Sequence, residues 1–299
     1  MDGVGRTMAN SSFRKGDKVH GWRLRRLLGS GGSGEVWKAR GRDGNAVALK
    51  ILVANDLPKI IRFVREIEIM DSIRSNISIP ILDQRLPGAG LPPACYAMPL
   101  ATPLRELIDT RKTTLLERIA ALAESAACLG LLHEREIFHC DVKTGNILHA
   151  DGRWVFGDFG LSMRPRLRPI MAPDEIIGTR YYAAPELYDA HDDEYVFDWA
   201  ACDVYSFAKV IWVTLAEESR PLRGPHDLTR AGTTIAALSG GVPGAASIDE
   251  LVHRATQLDP AARPRMATLA AALANWLLLA RATPERFGRP LDPVVPSAA

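Results

Sequence analysis

Between His139 and Leu148 the chain sets four polar side chains, His139, Asp141, Lys143 and Asn146, at short intervals among apolar flanks. Asp158-Phe159-Gly160 follows ten residues later, after the short strand candidate Trp154 to Phe156. No other stretch constrains the chain so strongly. It asks for a frame that buries the flanks while an acid, a cation and an amide stay close together.

The rest of the chain can supply such a frame. Its 299 residues suit two ordinary domains or one enzyme of two unequal lobes. At 47% hydrophobic and 24% charged it is not a disordered, collagenous or coiled-coil chain. Thirty-seven Lys and Arg against 35 Asp and Glu leave a net charge of +2, so no overall field points to nucleic acid or an anionic membrane. Cys95, Cys128, Cys140 and Cys202 form no CxxC pair, and reduced thiols in a reducing compartment are expected. Residues 1–10 lack the apolar core of a secretory signal, and the apolar runs 207–216 and 276–280 are too short or too interrupted to span a bilayer. The expected location is the cytoplasm, with no membrane span.

Residues 1–18 and the Pro-containing 284–299 read as loose tails, flanking a first lobe at 19–101 and a second at 102–283. From Trp22 the pattern is strand-like: Leu24 to Leu28, then Val36 to Ala39, a turn at Gly41 to Asn45, and Val47 to Leu52. A helix follows Pro58, and Ile77 to Leu82 and Cys95 to Leu100 return to strand. Beyond Leu104 helices are expected over 104–110, 114–135, 199–217 and 266–281, with a looser segment at 220–246.

Gly29-Ser30-Gly31-Gly32-Ser33-Gly34-Glu35-Val36 contains GxGxxG, a weak signal alone because glycines gather in many turns. A dinucleotide loop would open a helix, whereas the flanks here describe a hairpin. The Walker type needs Gly-Lys then Ser or Thr, and this loop ends Gly34-Glu35. A glycine loop between two strands remains, whose backbone can close over phosphates. Lys50 lies among apolar residues on the strand after the hairpin, where a solvated lysine is the bland reading. The helix argues otherwise. At 100° per residue, Ile73, Met70, Phe63, Ile67, Ile60 and Val64 form an apolar arc that contains Glu66 and excludes Glu68. An inward carboxylate needs a cation, and Lys50 is the coherent partner.

Taken in order, these residues resemble the eukaryotic-like serine/threonine protein kinase family, of bacterial type, over about residues 22–278. The resemblance rests on the glycine loop, Val47-Ala48-Leu49-Lys50, Glu66, His139-Cys140-Asp141 through Asn146, Asp158-Phe159-Gly160, Gly178-Thr179 through Ala184-Pro185-Glu186, Asp203, and Arg263 in Asp259 to Pro264. It implies an α+β bilobal fold with a small antiparallel β-rich lobe bearing one long helix, a larger helical lobe, and Mg-ATP in the cleft. It also implies Asp141 as catalytic base, Lys143 steadying the transferring phosphoryl group, and Lys50, fixed by Glu66, on the ATP phosphates. Asn146 and Asp158 become ligands of Mg2+, for which Mn2+ can substitute. Gly29 to Gly34, Val36, Ala48, Lys50, Met98 as gatekeeper and Ala101 in the hinge become the ATP-binding set, and Thr179 the substrate platform. His139 is expected to be structural, and Glu186 with Arg263 a buried ion pair. The implied reaction moves the ATP γ-phosphate to a protein Ser or Thr; a nucleotide-binding pseudokinase and a small-molecule phosphotransferase are the alternatives.

Three departures stand out. Cys140 replaces the Arg that pairs with an activation-loop phosphate in the family, and residues 163–178 contain no Ser, Thr or Tyr while Arg164, Arg166 and Arg168 supply charge. Activity is therefore expected without phosphorylation of that loop. Thr144 stands where the family has Pro, and Ala208 where it has Gly. Cys140 itself raises a redox reading, against which an inert buried thiol is the plainer expectation. Regulatory input is expected from the cytoplasm, through a partner, a ligand or the tails.

Overall fold

The computed structural model describes residues 11–32, 34–53, 56–73, 77–88, 93–111, 113–165, 178–188, 197–230 and 232–287. The chain divides into two compact units, with the division between Ala101 and Thr102.

The first unit is an antiparallel six-stranded sheet with one helix. Its strands are β1 (Lys18–Val19), β2 (Trp22–Gly31), β3 (Gly34–Arg40), β4 (Ala46–Ile51), β5 (Asp83–Arg85) and β6 (Cys95–Met98), in the order β1-β2-β3-β4-β6-β5, and α1 spans Leu57–Ile73. Strand alternation makes the core: Leu24, Trp37, Ala39, Val47, Leu49, Ile51 and Ala97 are buried together. Gly34 admits no substitute, because its φ is +133° and a Cβ there would sit 2.2 Å from the Ile51 carbonyl oxygen on β4.

Three expectations are corrected here. The apolar run at 77–82 is not a strand: Ile77 and Ile79 are buried, but Pro80 removes a ladder donor and pairing with β6 begins at Asp83. The buried face of α1 is centred on Glu66 rather than merely containing it. Arg62 and Ile69 are buried, while Ile60 and Val64 are only half-buried. Parts of the two segments read as loose tails are also anchored. Ser11 Oγ donates to Glu35 Oε2 and the Ser12 N–H to Glu35 Oε1, both at 2.7 Å, and the Gly16 N–H bonds to the Leu24 carbonyl. At the other end Phe287 is buried with its ring against Trp276.

The second unit carries a small sheet, β7 (Thr102–Pro103), β8 (Ile147–Ala150) and β9 (Arg153–Phe156), and the helices α2 (Leu104–Thr110), α3 (Leu115–Glu134), α4 (Trp199–Ala216), α5 (Ile235–Leu238), α6 (Ala245–Ala255) and α7 (Met266–Ala282). α3 starts at a capping box, in which Thr114 and Glu117 each accept the other's backbone N–H. Every residue of α4 from Ala201 to Leu215 is buried, as befits a helix with apolar residues on all its sides. Lys209, one of two charged residues in that run with Asp203, donates to the carbonyls of Leu222 and Gly224 and lies 5.1 Å over the Tyr205 ring; burial pulls its pKa down to about 8. The segment read as loose contains α5 and the start of α6. One turn of helix cannot hold itself, and the buried Asp249 carboxylate on α6 caps α5 by accepting the N–H groups of Ile235 and Ala236.

The four cysteines are buried free thiols. Burial pushes Cys95 and Cys128 up to about 11, and Cys140 and Cys202 further still. An unfolded thiol loses its proton near its ordinary value of 9.0, so above that pH the folded state holds more protons and stability falls as pH rises. Lys209 acts in the opposite sense, its lowered pKa adding stability between about 8 and its ordinary 10.5. A comparison of urea midpoints at neutral and alkaline pH isolates the thiols: Cys95→Ala/Cys128→Ala is expected to lose less stability on alkalinisation than the unsubstituted chain. An identical loss overturns the assignment.

Candidate active site

In the first unit the register collects the expected nucleotide residues. Val36 pairs with Lys50, and Ala48 with Met98, so these four share one face of the sheet. Gly29 opposes Val36 and Gly31 opposes Gly34, placing the glycine loop at the β2–β3 turn; Ser33 lies outside the described residues. Ala101 is the residue before the division at Thr102.

Lys50 and Glu66 are both buried and form the expected pair, with Lys50 Nζ at 2.7 and 2.8 Å from the two carboxylate oxygens. A third member was not legible in sequence. Tyr96, cross-strand partner of Lys50, donates its hydroxyl to Glu66 Oε1 at 2.8 Å, and its ring lies 5.9 Å from Lys50 Nζ. The available signal was a phenol inside a buried strand, which must find a hydrogen-bond partner. Tyr96→Phe is expected to lower stability by about 1.5–3 kcal/mol, the worth of a hydrogen bond to a charged group, and an unchanged urea midpoint refutes this.

In the second unit the segment from His139 to Asn146 is fixed from below. Asp203 on α4, fully buried, accepts the backbone N–H groups of His139 and Cys140 at 2.7 and 2.8 Å and meets His133 Nε2 at 3.0 Å. These donors hold Cys140 at a φ of +60°, an uncommon region for a side-chain-bearing residue. The His139 ring accepts the Asp141 N–H at Nδ1 and donates from Nε2 to the Gly157 carbonyl, between Phe156 and Phe159. Both nitrogens are committed, so the His139 ring braces the loop.

Above this frame lies a closed polar net. Asp141 Oδ1 accepts from Thr179 Oγ1 at 2.8 Å, and Asp141 Oδ2 accepts from Lys143 Nζ at 2.6 Å and Asn146 Nδ2 at 3.1 Å. Lys143 also donates to Thr179 Oγ1 at 2.9 Å. Gly178 allows the approach of Thr179: its φ is +82° and a Cβ there would stand 2.9 Å from the Cys140 carbonyl oxygen. Thr144 uses its hydroxyl against Tyr182 at 3.2 Å, a contact that proline could not make. Asp158 follows β9 at a φ of +63° and is half-buried, ahead of the fully buried Phe159. Cys140 is buried against the Phe138 carbonyl with its pKa pushed well up, which supports the inert thiol. Arg166 and Arg168 lie outside the described residues.

Arg263 grips Glu186 through both guanidinium arms, at 2.6 and 2.9 Å. Burial opposes the charge on Glu186, but the Arg263 hydrogen bond prevails and holds its carboxyl below the usual value.

Residues 22–277 match the protein kinase domain family. The chain is 30% identical over 268 residues to the probable serine/threonine-protein kinase PkwA of Thermomonospora curvata, covering 86% of this chain and 34% of that protein. It is 30% identical over 221 residues to the serine/threonine-protein kinase PknA of Mycobacterium tuberculosis, covering 70% and 50%. With the serine/threonine-protein kinase PknJ of Mycobacterium bovis it shares 27% identity over 269 residues, covering 83% and 44%. The chain thus spans about a third to a half of the length of these relatives. With this match across most of its length, and with the family's polar residues held as described, the chain belongs to the protein kinase domain family of Hanks type, its first unit the β-rich lobe and its second the helical lobe of that fold.

Proposed function

We propose that the protein transfers the γ-phosphoryl group of ATP to Ser or Thr hydroxyls of protein substrates. The observation that carries this is the net around Asp141. Its three donors leave a lone-pair position free on a carboxylate that can accept four hydrogen bonds, and Thr179 and Lys143 hold it in one orientation. A substrate hydroxyl donating there is aligned for attack. The new bond joins its oxygen to the γ-phosphorus, the bond from that phosphorus to the β–γ bridging oxygen breaks, ADP leaves, and the hydroxyl proton passes to Asp141. Lys143 steadies charge on the transferring group, while Lys50, fixed by Glu66 and Tyr96, holds the nucleotide phosphates.

The donor chemistry fits Mg2+. Asn146 turns its Nδ2 toward Asp141, which leaves its carbonyl oxygen as a hard donor, and Asp158 supplies a carboxylate. Among the described residues no cluster of three or more His, Cys, Asp or Glu forms a metal cage. Two oxygen ligands suit Mg2+, which otherwise keeps water and substrate phosphates. When bound, the ion neutralises phosphate charge.

Activity without activation-loop phosphorylation is part of this reading. Cys140 offers no cation for a phosphate, its side chain is buried, and the loop sequence has no hydroxyl to modify. The reading also places the protein in the cytoplasm, with input from a partner or ligand there; no helix among the described residues is long and apolar enough to cross a membrane. Phosphatase-treated protein incubated with labelled Mg-ATP is expected to label Ser/Thr peptides and not Tyr peptides, at a rate within about twofold of untreated protein. Labelling confined to tyrosine, or to small molecules, overturns the specificity. Activity regained only with a mapped loop phosphate overturns the independence.

A further inference from the structure

The first unit's sheet sets like charges opposite one another. Lys18 pairs with Arg23, Arg23 with Arg40, and Arg26 with Lys38. Directly opposed residues share a face, and same-sign pairs there repel. The register shift between Leu24 and Arg26 makes Arg25 the extra residue, which returns Arg26 to the face of Arg23. Lys38 and Arg40, two apart on β3, lie on that face too. Five cations thus share one surface, and residues 14–43 hold nine Lys and Arg against Asp17, Glu35 and Asp43. None of these three acids forms an ion pair with the cations of the pocket described next, although Asp43 lies beside Gly41 and offsets part of the charge there. Asp17 accepts the Arg14 N–H, Asp43 accepts two donors from Asn45, and Glu35 is buried on the other face.

At the β1 end this surface is concave. A pocket of about 200 Å³ is lined by Lys18, Gly21, Arg23, Arg40, Gly41 and Arg42. Its four cations are exposed, and among the described residues none of their side chains makes an ion pair or a hydrogen bond.

We propose that this pocket binds a compact ligand carrying two or three phosphoryl groups. Arg guanidinium forks match phosphate oxygens in pairs, and Lys adds a point charge. The volume is that of several water molecules at about 30 Å³ each, which suits a short phosphate chain or a multiply phosphorylated headgroup. Repulsion between Lys18, Arg23 and Arg40 weakens the free sheet, so an anion that relieves it binds the folded state preferentially and raises the melting temperature. The site is separate from the glycine loop and does not depend on the phosphoryl-transfer reading.

The probes are inorganic tripolyphosphate, and phosphatidylcholine vesicles with and without a phosphoinositide bisphosphate. Binding is measured in EDTA at physiological ionic strength, on the full chain carrying Lys50→Met to weaken competition at the glycine loop. Tripolyphosphate is expected to bind and raise the melting temperature, with Arg23→Ser/Arg40→Ser weakening it by about tenfold or more. Arg25→Ser removes a charge from the same strand outside the pocket and is expected to change affinity by less than about twofold. Binding of the phosphoinositide vesicles alone, with the same variant pattern, supports the site and assigns a lipid source; binding of free tripolyphosphate assigns a soluble one. Equal loss in Arg25→Ser and the double variant shows diffuse charge and overturns the pocket, as does failure of both probes or tighter binding of a short DNA duplex. The double variant removes repulsion, so its unliganded melting temperature is expected to be no lower than that of its parent, which separates lost binding from lost fold.

Discussion

Asp141→Asn is expected to lower the rate of phosphoryl transfer by about 10²–10⁴-fold, the usual worth of a positioned general base. The geometry makes this substitution clean. A carboxamide keeps the shape of the carboxylate, its oxygen can face Lys143 and Asn146, and its amide can face the Thr179 hydroxyl, so the net closes with the partners in place. What is lost is the lone pair proposed to take the substrate proton. The loss should fall on kcat and leave KM for ATP near its starting value, because the Asp141 side chain bonds to loop residues of its own unit. A melting temperature within a few degrees of the unsubstituted chain confirms the fold. Retention of more than about a tenth of the rate removes Asp141 from the role of base.

Arg263→Met is expected to cost about 3–5 kcal/mol of stability, the cost of leaving a buried charge without its partner. Arg263 is fully buried at its side chain and reaches far beyond Glu186: it donates to the carbonyls of Ala201, Gln257 and Leu258 and packs 5.0 Å from the Tyr205 ring. The Glu186→Gln/Arg263→Met double variant should recover part of the loss, since the stranded carboxylate is gone; urea midpoints of the two single variants and the double close the cycle. The pH dependence supplies a second check. Because the folded pKa of Glu186 lies below its ordinary 4.5, the pair stabilises fully above that value, and its contribution disappears as pH falls through the folded pKa. Arg263→Met should therefore lose less stability on acidification than the unsubstituted chain. Equal acid sensitivity contradicts the pairing.

The parts of the site legible in sequence are those whose chemistry is local. Asp141, Lys143 and Asn146 fall within one turn of chain, so their spacing alone brings them together, and Glu66 betrays itself as a carboxylate within an apolar arc. The missing parts were hydrogen bonds whose two partners come from far apart along the chain. Asp203 matched a family position, but that it holds the backbone of His139 and Cys140 depends on the packing of α4 beneath that loop. Tyr96 reaches Glu66 only because β4 and β6 pair in one register. For the fold, periodicity served the long helices well and failed at α5, whose single turn owes its stability to Asp249. It misplaced β5 as well, because apolar content at Ile77 and Ile79 signals burial, whereas a strand also needs the backbone donor that Pro80 lacks.

The Ser11 and Ser12 contacts bear on where this domain can be cut. A fragment trimmed to the family match would begin at Trp22 and end at residue 277. It would leave the nearly inaccessible Glu35 carboxylate, next to Gly34 of the glycine loop, with only the Trp37 indole of the three donors now seen at it. At the far end it would strip the Phe287 ring from Trp276. Keeping these contacts takes at least residues 11 to 287, so the packing extends past the family match at both ends, and the glycine loop inherits its footing from residues that family resemblance does not reach.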